Sequence, residues 1–288
     1  MEPRLTALMP LRAYHPQFLE ESIGSLRAQT SPRWRLLIID DGAEPSPIIH
    51  DALADSRVTL VRSEGRRLPG ALNTGMRHAQ TDFVASLFAD DMWAPEAVQI
   101  LTEHIEVEPS VDYFHTARVF IDGNGKRIAT ASRAPDVVGP EDFVNGSPVK
   151  HLMCWRRDRG LSIGGIDESM RGDGPDDWDF PWRMAEDGAV FKALAEPLYV
   201  FRDHRECERL TTHIPLNQQK RVIRRVMRKH GVPRSDIKLH LAEAEEGYLR
   251  QAVYRSRLDR WVKTLRGYDP RQGGREQYEH RRGLKTSD

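Results

Sequence analysis

Cysteine is scarce in this sequence: 288 residues carry two, Cys154 and Cys207. Two thiols in a chain of this length make no disulfide framework, so a reducing cytoplasm is the expected setting. Long hydrophobic runs are missing as well. No stretch approaches the roughly 20 apolar residues of a membrane span. The opening MEPRLTALMPLRAYHP has too short an apolar run and too early a proline for a signal peptide. Excess charge of either sign is absent, with 43 Lys plus Arg against 43 Asp plus Glu. Net charge therefore selects no anionic partner; only its distribution can. What is present suits a globular protein with a real core, at 39% apolar and 30% charged residues. The length suits one large domain, or one domain with an extension.

The first hundred residues alternate. Residues 5–9 read as a strand stopped by Pro10, and Phe18, Leu19, Ser22, Ile23 and Leu26 share one face of a following helix. RLLII at 35–39 is near-continuously apolar, as expected for a strand covered on both faces. A weaker helix over 46–54, a strand over 58–61, a helix over 70–79 and a strand over 83–88 follow. Pro95 then opens another helix. This rhythm predicts an α/β fold, a mostly parallel sheet flanked by helices. Asp122-Gly123-Asn124-Gly125 marks a hairpin between residues 113–121 and 127–130. Later strands are expected at 151–155, 189–192 and 198–201, with a helix over 178–186. From about residue 214 the chain reads as basic and helical. The expected division is a domain over 1–213 and a C-terminal helical extension over 214–288.

Two strands end in paired acids, Asp40 with Asp41 and Asp90 with Asp91. Ligands of open α/β sheets bind beyond the carboxyl ends of the strands. Neighbouring parallel strands would bring both pairs into one crevice, where a divalent cation with phosphate oxygens is the natural guest. For either pair alone, capping of the next helix or turn explains the acids equally well. A third cluster, Asp173, Asp176, Asp177 and Asp179, crowds the start of a predicted helix. Four acids exceed what capping needs, and one can serve as a general base.

Seven segments in order, across about residues 4–205, resemble the inverting, GT-A-fold glycosyltransferases of family 2. They are MPLRAYH, IIDDGAE, LNTGMRHA, FVASLFADDMWAPEAV, GGIDES, DDWDFPWRMAEDG and YVFRDH. The resemblance implies roles. Asp41, with Asp40 beside it, would hold the base or ribose of a nucleotide-sugar, a UDP-sugar being favoured, together with Pro10, Arg67 and Asn73. Asp91 would ligate Mn²⁺ or Mg²⁺ on the diphosphate, with His204 in reach, while Asp90 would touch the ribose or sugar. Asp177 would be the catalytic base. Asp176, Trp178 and Gly165 would border a carbohydrate, lipid-linked or small-molecule acceptor. Phe88 stands where many relatives carry a further acid. The metal is then expected to rest on one acid, the diphosphate, water and His204.

Other features have plainer readings. Arg66 and Arg67 could meet phosphate or face solvent, and Trp93 could wall the pocket. Trp155 and Cys154 read as core, and His151 and His213 as surface or core histidines. Residues 251–288 hold ten Lys/Arg and five Asp/Glu, and 220–229 add six more cations. A solvated basic face, peripheral contact at the inner face of a membrane, or homodimerisation through a stripe around Trp261 would each account for that. Basic residues without interleaved aromatics argue against nucleic acid. The alternatives to a transferase of sugars are a nucleotidyltransferase using the same acids and a non-catalytic carbohydrate-binding protein on the same fold. No Gly-rich, Lys-bearing phosphate loop follows the first strand, which argues against the former.

Overall fold

The computed structural model describes residues 2–65, 67–137, 139–170, 176–204 and 215–255. The chain divides into two compact units, Met1–His213 and Ile214–Asp288. Arg66, Asp173, Cys207, His213 and Trp261, named above, lie outside the described residues.

The first unit is a mixed α/β layer structure. Its first half alternates strand and helix: β1 Leu5–Leu11, α1 Pro16–Arg27, β2 Trp34–Asp40, α2 Pro47–Ala52, β3 Val58–Arg62, α3 Arg67–His78 and β4 Phe83–Ser86. Then come β5 Met92–Trp93, α4 Ala97–Val107, β6 Tyr113–Asp122, β7 Arg127–Ser132, β8 Met153–Arg156, α5 Arg157–Ser162, α6 Asp176–Glu186 and β9 Phe191–Asp203. The sheet order is β3-β2-β1-β4-β8-β6-β9-β5, with β7 pairing β6. Strands β1 to β4 run parallel, as does β6 beside β9, while β8 is antiparallel to both its neighbours. Fully buried Leu5, Ala7, Met9, Leu36 and Ile38 belong to the main core cluster, with Leu19, Ile23 and Leu26 of α1. That is why β1 and β2 read as unbroken apolar runs: both faces are covered.

Two strand expectations change. Strand β1 runs through Pro10 instead of stopping there. Its pairing with β4 ends at Leu8 opposite Ser86, so Pro10 has β2 alone beside it. A residue without an N–H is tolerated there. The strands expected at 189–192 and 198–201 are one strand, β9, which begins at Phe191. Its register against β6 jumps from Thr116↔Leu194 to Ala117↔Pro197, and that irregularity absorbs Ala195, Glu196 and the proline.

The second unit contains α7 Leu216–Lys229 and α8 Arg234–Arg255. Val222, Val226 and Met227 are buried on α7, while Arg221, Arg225, Arg228 and Lys229 are exposed. Lys220 Nζ joins α7 to α8 through Glu245 Oε2 at 2.5 Å. Among the described residues no helix is long and apolar enough to cross a membrane.

Candidate active site

The carboxyl ends of β1, β2 and β4 lie side by side, and the acid pairs leave from two of them. Asp40 closes β2, and its Oδ1 accepts from the N–H of Gly42 at 2.9 Å and of Ala43 at 2.8 Å. It thereby shapes the turn, with Gly42 at φ +90°. Asp41 is tied to the end of β1. Its N–H donates to Leu11 O at 2.8 Å, and its carboxylate lies 3.3 Å from exposed Arg12. Pro10 is the neighbour of Ile39 in the same corner.

The second pair divides sharply by burial. Asp91 is 2% exposed. Its Oδ2 accepts from the Tyr199 hydroxyl at 2.8 Å and its Oδ1 from the Arg202 N–H at 2.8 Å. Burial, and then the charges of Asp91 and Asp90, push the Tyr199 phenol well above its ordinary pKa, so it stays a donor. The Arg202 side chain is itself buried. Its Nε donates to Asp90 O at 3.1 Å, its Nη2 meets Glu21, and its guanidinium lies 4.4 Å from the Phe18 ring centroid. Asp90, by contrast, keeps 27% of its side chain exposed, and its Oδ2 lies 3.0 Å from His204 Nε2. The sequence reading placed the ion on Asp91. Asp91 is buried between two protein donors, while Asp90, the more exposed of the pair, lies beside His204, whose side chain is itself buried.

Asp90 and His204 supply one carboxylate oxygen and one imidazole nitrogen. Among the described residues no group of three or more His, Cys, Asp or Glu side chains is gathered to hold a metal. Asp90 Oδ2 and His204 Nε2 face each other at 3.0 Å and the His204 side chain is buried, so an ion taken by this pair would draw its remaining ligands from diphosphate oxygens and water. Carboxylate with imidazole suits Mn²⁺ better than the all-oxygen preference of Mg²⁺.

Phe88 occupies the start of the same turn and meets the His151 ring edge-on at 5.4 Å. His151 also packs on Tyr199 at 5.3 Å, and its Nδ1 lies 3.5 Å from Arg118 Nη1. Arg118 leads to the third acid cluster. Asp177, half-buried at the start of α6, has its carboxyl pKa raised by burial, against the opposing positive charges of Lys150 and Arg118. Ser147 links these parts: its Oγ donates to Asp177 O at 2.6 Å, and its carbonyl accepts from Lys150 Nζ at 3.1 Å. Contacts thus run from Phe88, in the Asp90 turn, through His151 to Arg118, whose positive charge is one of those acting on Asp177.

Other expected site residues have structural partners. Trp178 is buried, donates Nε1–H to Phe143 O at 2.8 Å and stacks on Trp182. Trp93 is likewise buried, with Nε1 3.3 Å from Ser86 O. Trp155 and Cys154 are core, as read from the sequence. Asn73 is 5% exposed and bonds Ile166 through both ends of its amide. Gly165, at φ +71°, lies so close that an added Cβ would sit 2.5 Å from Asn73 Oδ1. Arg67 is exposed at the start of α3 with φ +58°, and Asp176 opens α6. Sequence reading assigned no role to Tyr199, Arg202, Arg118 or Lys150. The YVFRDH segment, already matched to the family, holds two of them, Tyr199 and Arg202.

Comparison with known proteins adds the family context. Residues 6–162 match the family model described as "Glycosyl transferase family 2". The O-antigen biosynthesis protein RfbC of Myxococcus xanthus is 26% identical over 211 residues, covering 70% of this chain and 16% of that protein. The succinoglycan biosynthesis protein ExoW of Rhizobium meliloti (strain 1021) is 37% identical over 101 residues, covering 32% of this chain and 31% of that one. The chain therefore spans less than a third of either relative's length. Among solved structures, S. aureus TarS 1-349 in complex with UDP-GlcNAc has TM-score 0.64 at 15% identity, over 93% of this chain and 77% of that chain. The mannosyltransferase PcManGT from Pyrobaculum calidifontis, in complex with GDP-Man and Mn²⁺, has TM-score 0.57 at 17% identity, over 95% and 83%. Likeness at this identity carries the fold, and the fold is GT-A.

Proposed function

The chain belongs to glycosyl transferase family 2, and from that premise we propose that it moves a sugar from a nucleoside-diphosphate sugar to an acceptor hydroxyl with inversion. A UDP-sugar is the favoured donor, with Mn²⁺ as the ion. The observation that carries the reading is Asp177 at the start of α6, a carboxyl whose pKa is raised by burial against the positive charges of Lys150 and Arg118. A base works best when its pKa moves toward the working pH, and this shift is in that direction.

In this reading Asp41 and Pro10 border the nucleoside at the ends of β2 and β1. Asp90 and His204 would hold a divalent ion, which when bound would supply positive charge to the leaving diphosphate. Asp177 takes the proton of the acceptor hydroxyl. It sits on α6, a different element from the turn carrying Asp90, as attack on the face opposite the leaving group requires. The positive charges of Lys150 and Arg118 oppose the effect of burial on the Asp177 carboxyl. The names of RfbC and ExoW support an acceptor in polysaccharide or glycoconjugate assembly, either free carbohydrate or lipid-linked. Residues 1–213 would be the catalytic domain. The basic exposed face of α7 would serve peripheral membrane contact or self-association.

The test is a transfer assay on Asp177→Asn, with nucleotide binding measured alongside. UDP binding in Mn²⁺ should persist while transfer falls by at least about a thousandfold, the upper range of general-base contributions. Retained transfer removes Asp177 from the role.

A further inference from the structure

Asn73 was expected at the donor, yet the amide is turned away into a different task. Its Oδ1 accepts from Ile166 N–H at 2.7 Å, and its Nδ2 donates to Ile166 O at 2.8 Å. One side chain thus satisfies both backbone groups of one residue, as a neighbouring strand would. The same Nδ2 reaches Glu168 Oε1 at 3.1 Å. The contact allows no spare room: a Cβ at Gly165 would meet Asn73 Oδ1 at 2.5 Å, and one at Gly70 would meet the Gly65 backbone at 2.5 Å. Only glycine permits that closeness, and Gly165 also needs its φ of +71°.

The opposite side of the same loop is gripped by α6. Arg183 Nη2 donates to Gly165 O at 2.6 Å and Nη1 to Ile163 O at 3.0 Å. Its Nε binds Asp179 Oδ2 at 3.0 Å, a carboxylate that is 2% exposed. Arg183 and Asp179 stand one helical turn apart on α6, whose second residue is Asp177. Loop 163–168 is therefore a strut, fastened to α3 by Asn73 and to α6 by Arg183.

We propose that Asn73 and Arg183 are positioning residues for Asp177, fixing the base-bearing helix against α3 through loop 163–168, and that neither touches the donor. The proposal rests on Asp177 being the base. Positioning of this kind acts on the chemical step, since a reacting group misplaced by about 1 Å can cost about a hundredfold in rate. It leaves donor affinity alone.

The test variants are Asn73→Asp, Arg183→Lys and the pair Asn73→Asp with Glu168→Gln. Asn73→Asp keeps the size but sets a carboxylate against Glu168 and Ile166 O. Glu168→Gln restores a donor to that carboxylate and should rescue it in part. Three quantities are measured. UDP affinity in Mn²⁺ is taken by calorimetry. UDP release, with water as acceptor, is followed from whichever of UDP-glucose, UDP-galactose and UDP-GlcNAc the unaltered protein turns over. Hydrogen exchange is followed in the 176–186 backbone. The expected result is UDP affinity within about twofold, kcat for release down at least about tenfold with KM little changed, and faster exchange in 176–186. The double variant should recover a part of the rate. A tenfold loss of UDP affinity in Asn73→Asp, with exchange in 176–186 unchanged, would overturn the proposal and return Asn73 to the donor. Failure of the base assignment looks different: Asp177→Asn would then keep its turnover whatever the strut does.

Discussion

Replacing Tyr199 by phenylalanine removes one oxygen and leaves the ring in place. That oxygen donates to Asp91 Oδ2 at 2.8 Å, and Asp91 is 2% exposed. Its loss leaves a buried charged acceptor short of a donor, at a cost of about 1–3 kcal/mol. For a unit the size of residues 1–213, each kcal/mol moves Tm by about 2–4 °C. Tyr199→Phe should therefore lower Tm by about 4–8 °C, taking about 2 kcal/mol as the central value. Asp90→Asn, one residue from Asp91, should behave in the opposite way. Its side chain is 27% exposed, so its stability cost should stay within about 0.5 kcal/mol. Its charge lies beside His204, so Mn²⁺-dependent UDP affinity should fall at least about tenfold, or about 1.4 kcal/mol. Tyr199→Phe should keep most of that affinity. Scanning calorimetry and UDP titration on both variants decide the matter. A Tm shift under about 1 °C for Tyr199→Phe, or an equal stability loss for Asp90→Asn, would refute the division of scaffold acid from ligand acid.

Three further outcomes follow from the same structure. Burial raises the Asp177 pKa, so transfer should fall with decreasing pH before the ordinary carboxylate range of about 4 is reached. The linkage sign is the reverse of a salt-bridged acid: stability from this group is present below its unfolded pKa and lost as pH rises through the raised folded pKa. Asp177→Asn should thus match or exceed the parent Tm at pH 7–8, and the difference should shrink toward acid pH. Gly165→Ala puts a Cβ 2.5 Å from Asn73 Oδ1 at a φ of +71°, and the backbone conformation alone costs about 1–2 kcal/mol; chemical denaturation should register at least that. Burial pushes the Cys154 thiol up, so in a Cys207→Ser background Ellman's reagent should react only after unfolding.

Much of the fold was legible because its signals are local. Residues 36–39 are apolar throughout and lie between two parallel neighbours. Where the reading departed, the cause is long-range. Pro10 stays in its strand because β4 stops pairing short of it. Pro197 stays in β9 because the ladder to β6 slips at that point. The short helix α5, RDRGLS, shows no apolar period and was missed. How the expected site residues are partnered was not legible in the sequence. Which of Asp90 and Asp91 points inward depends on Tyr199 and Arg202, more than a hundred residues away. Trp178 looked like a sugar platform because nothing local reveals that Phe143 O waits for its N–H. Asn73 matched a motif, but its partners lie in loop 163–168.

If Asp90 and His204 hold a metal as proposed, nucleotide binding should depend on that metal. The most direct measurement is the thermal shift caused by UDP with Mn²⁺ and with EDTA, in the parent protein and in Asp90→Asn. Saturation at a hundred times Kd stabilises the folded state by about 2.7 kcal/mol, which is a shift of about 5–11 °C for a domain of this size. The account predicts that shift for the parent in Mn²⁺, little shift in EDTA, and a much smaller one for Asp90→Asn. An equal shift in EDTA, or an undiminished one in Asp90→Asn, would contradict it.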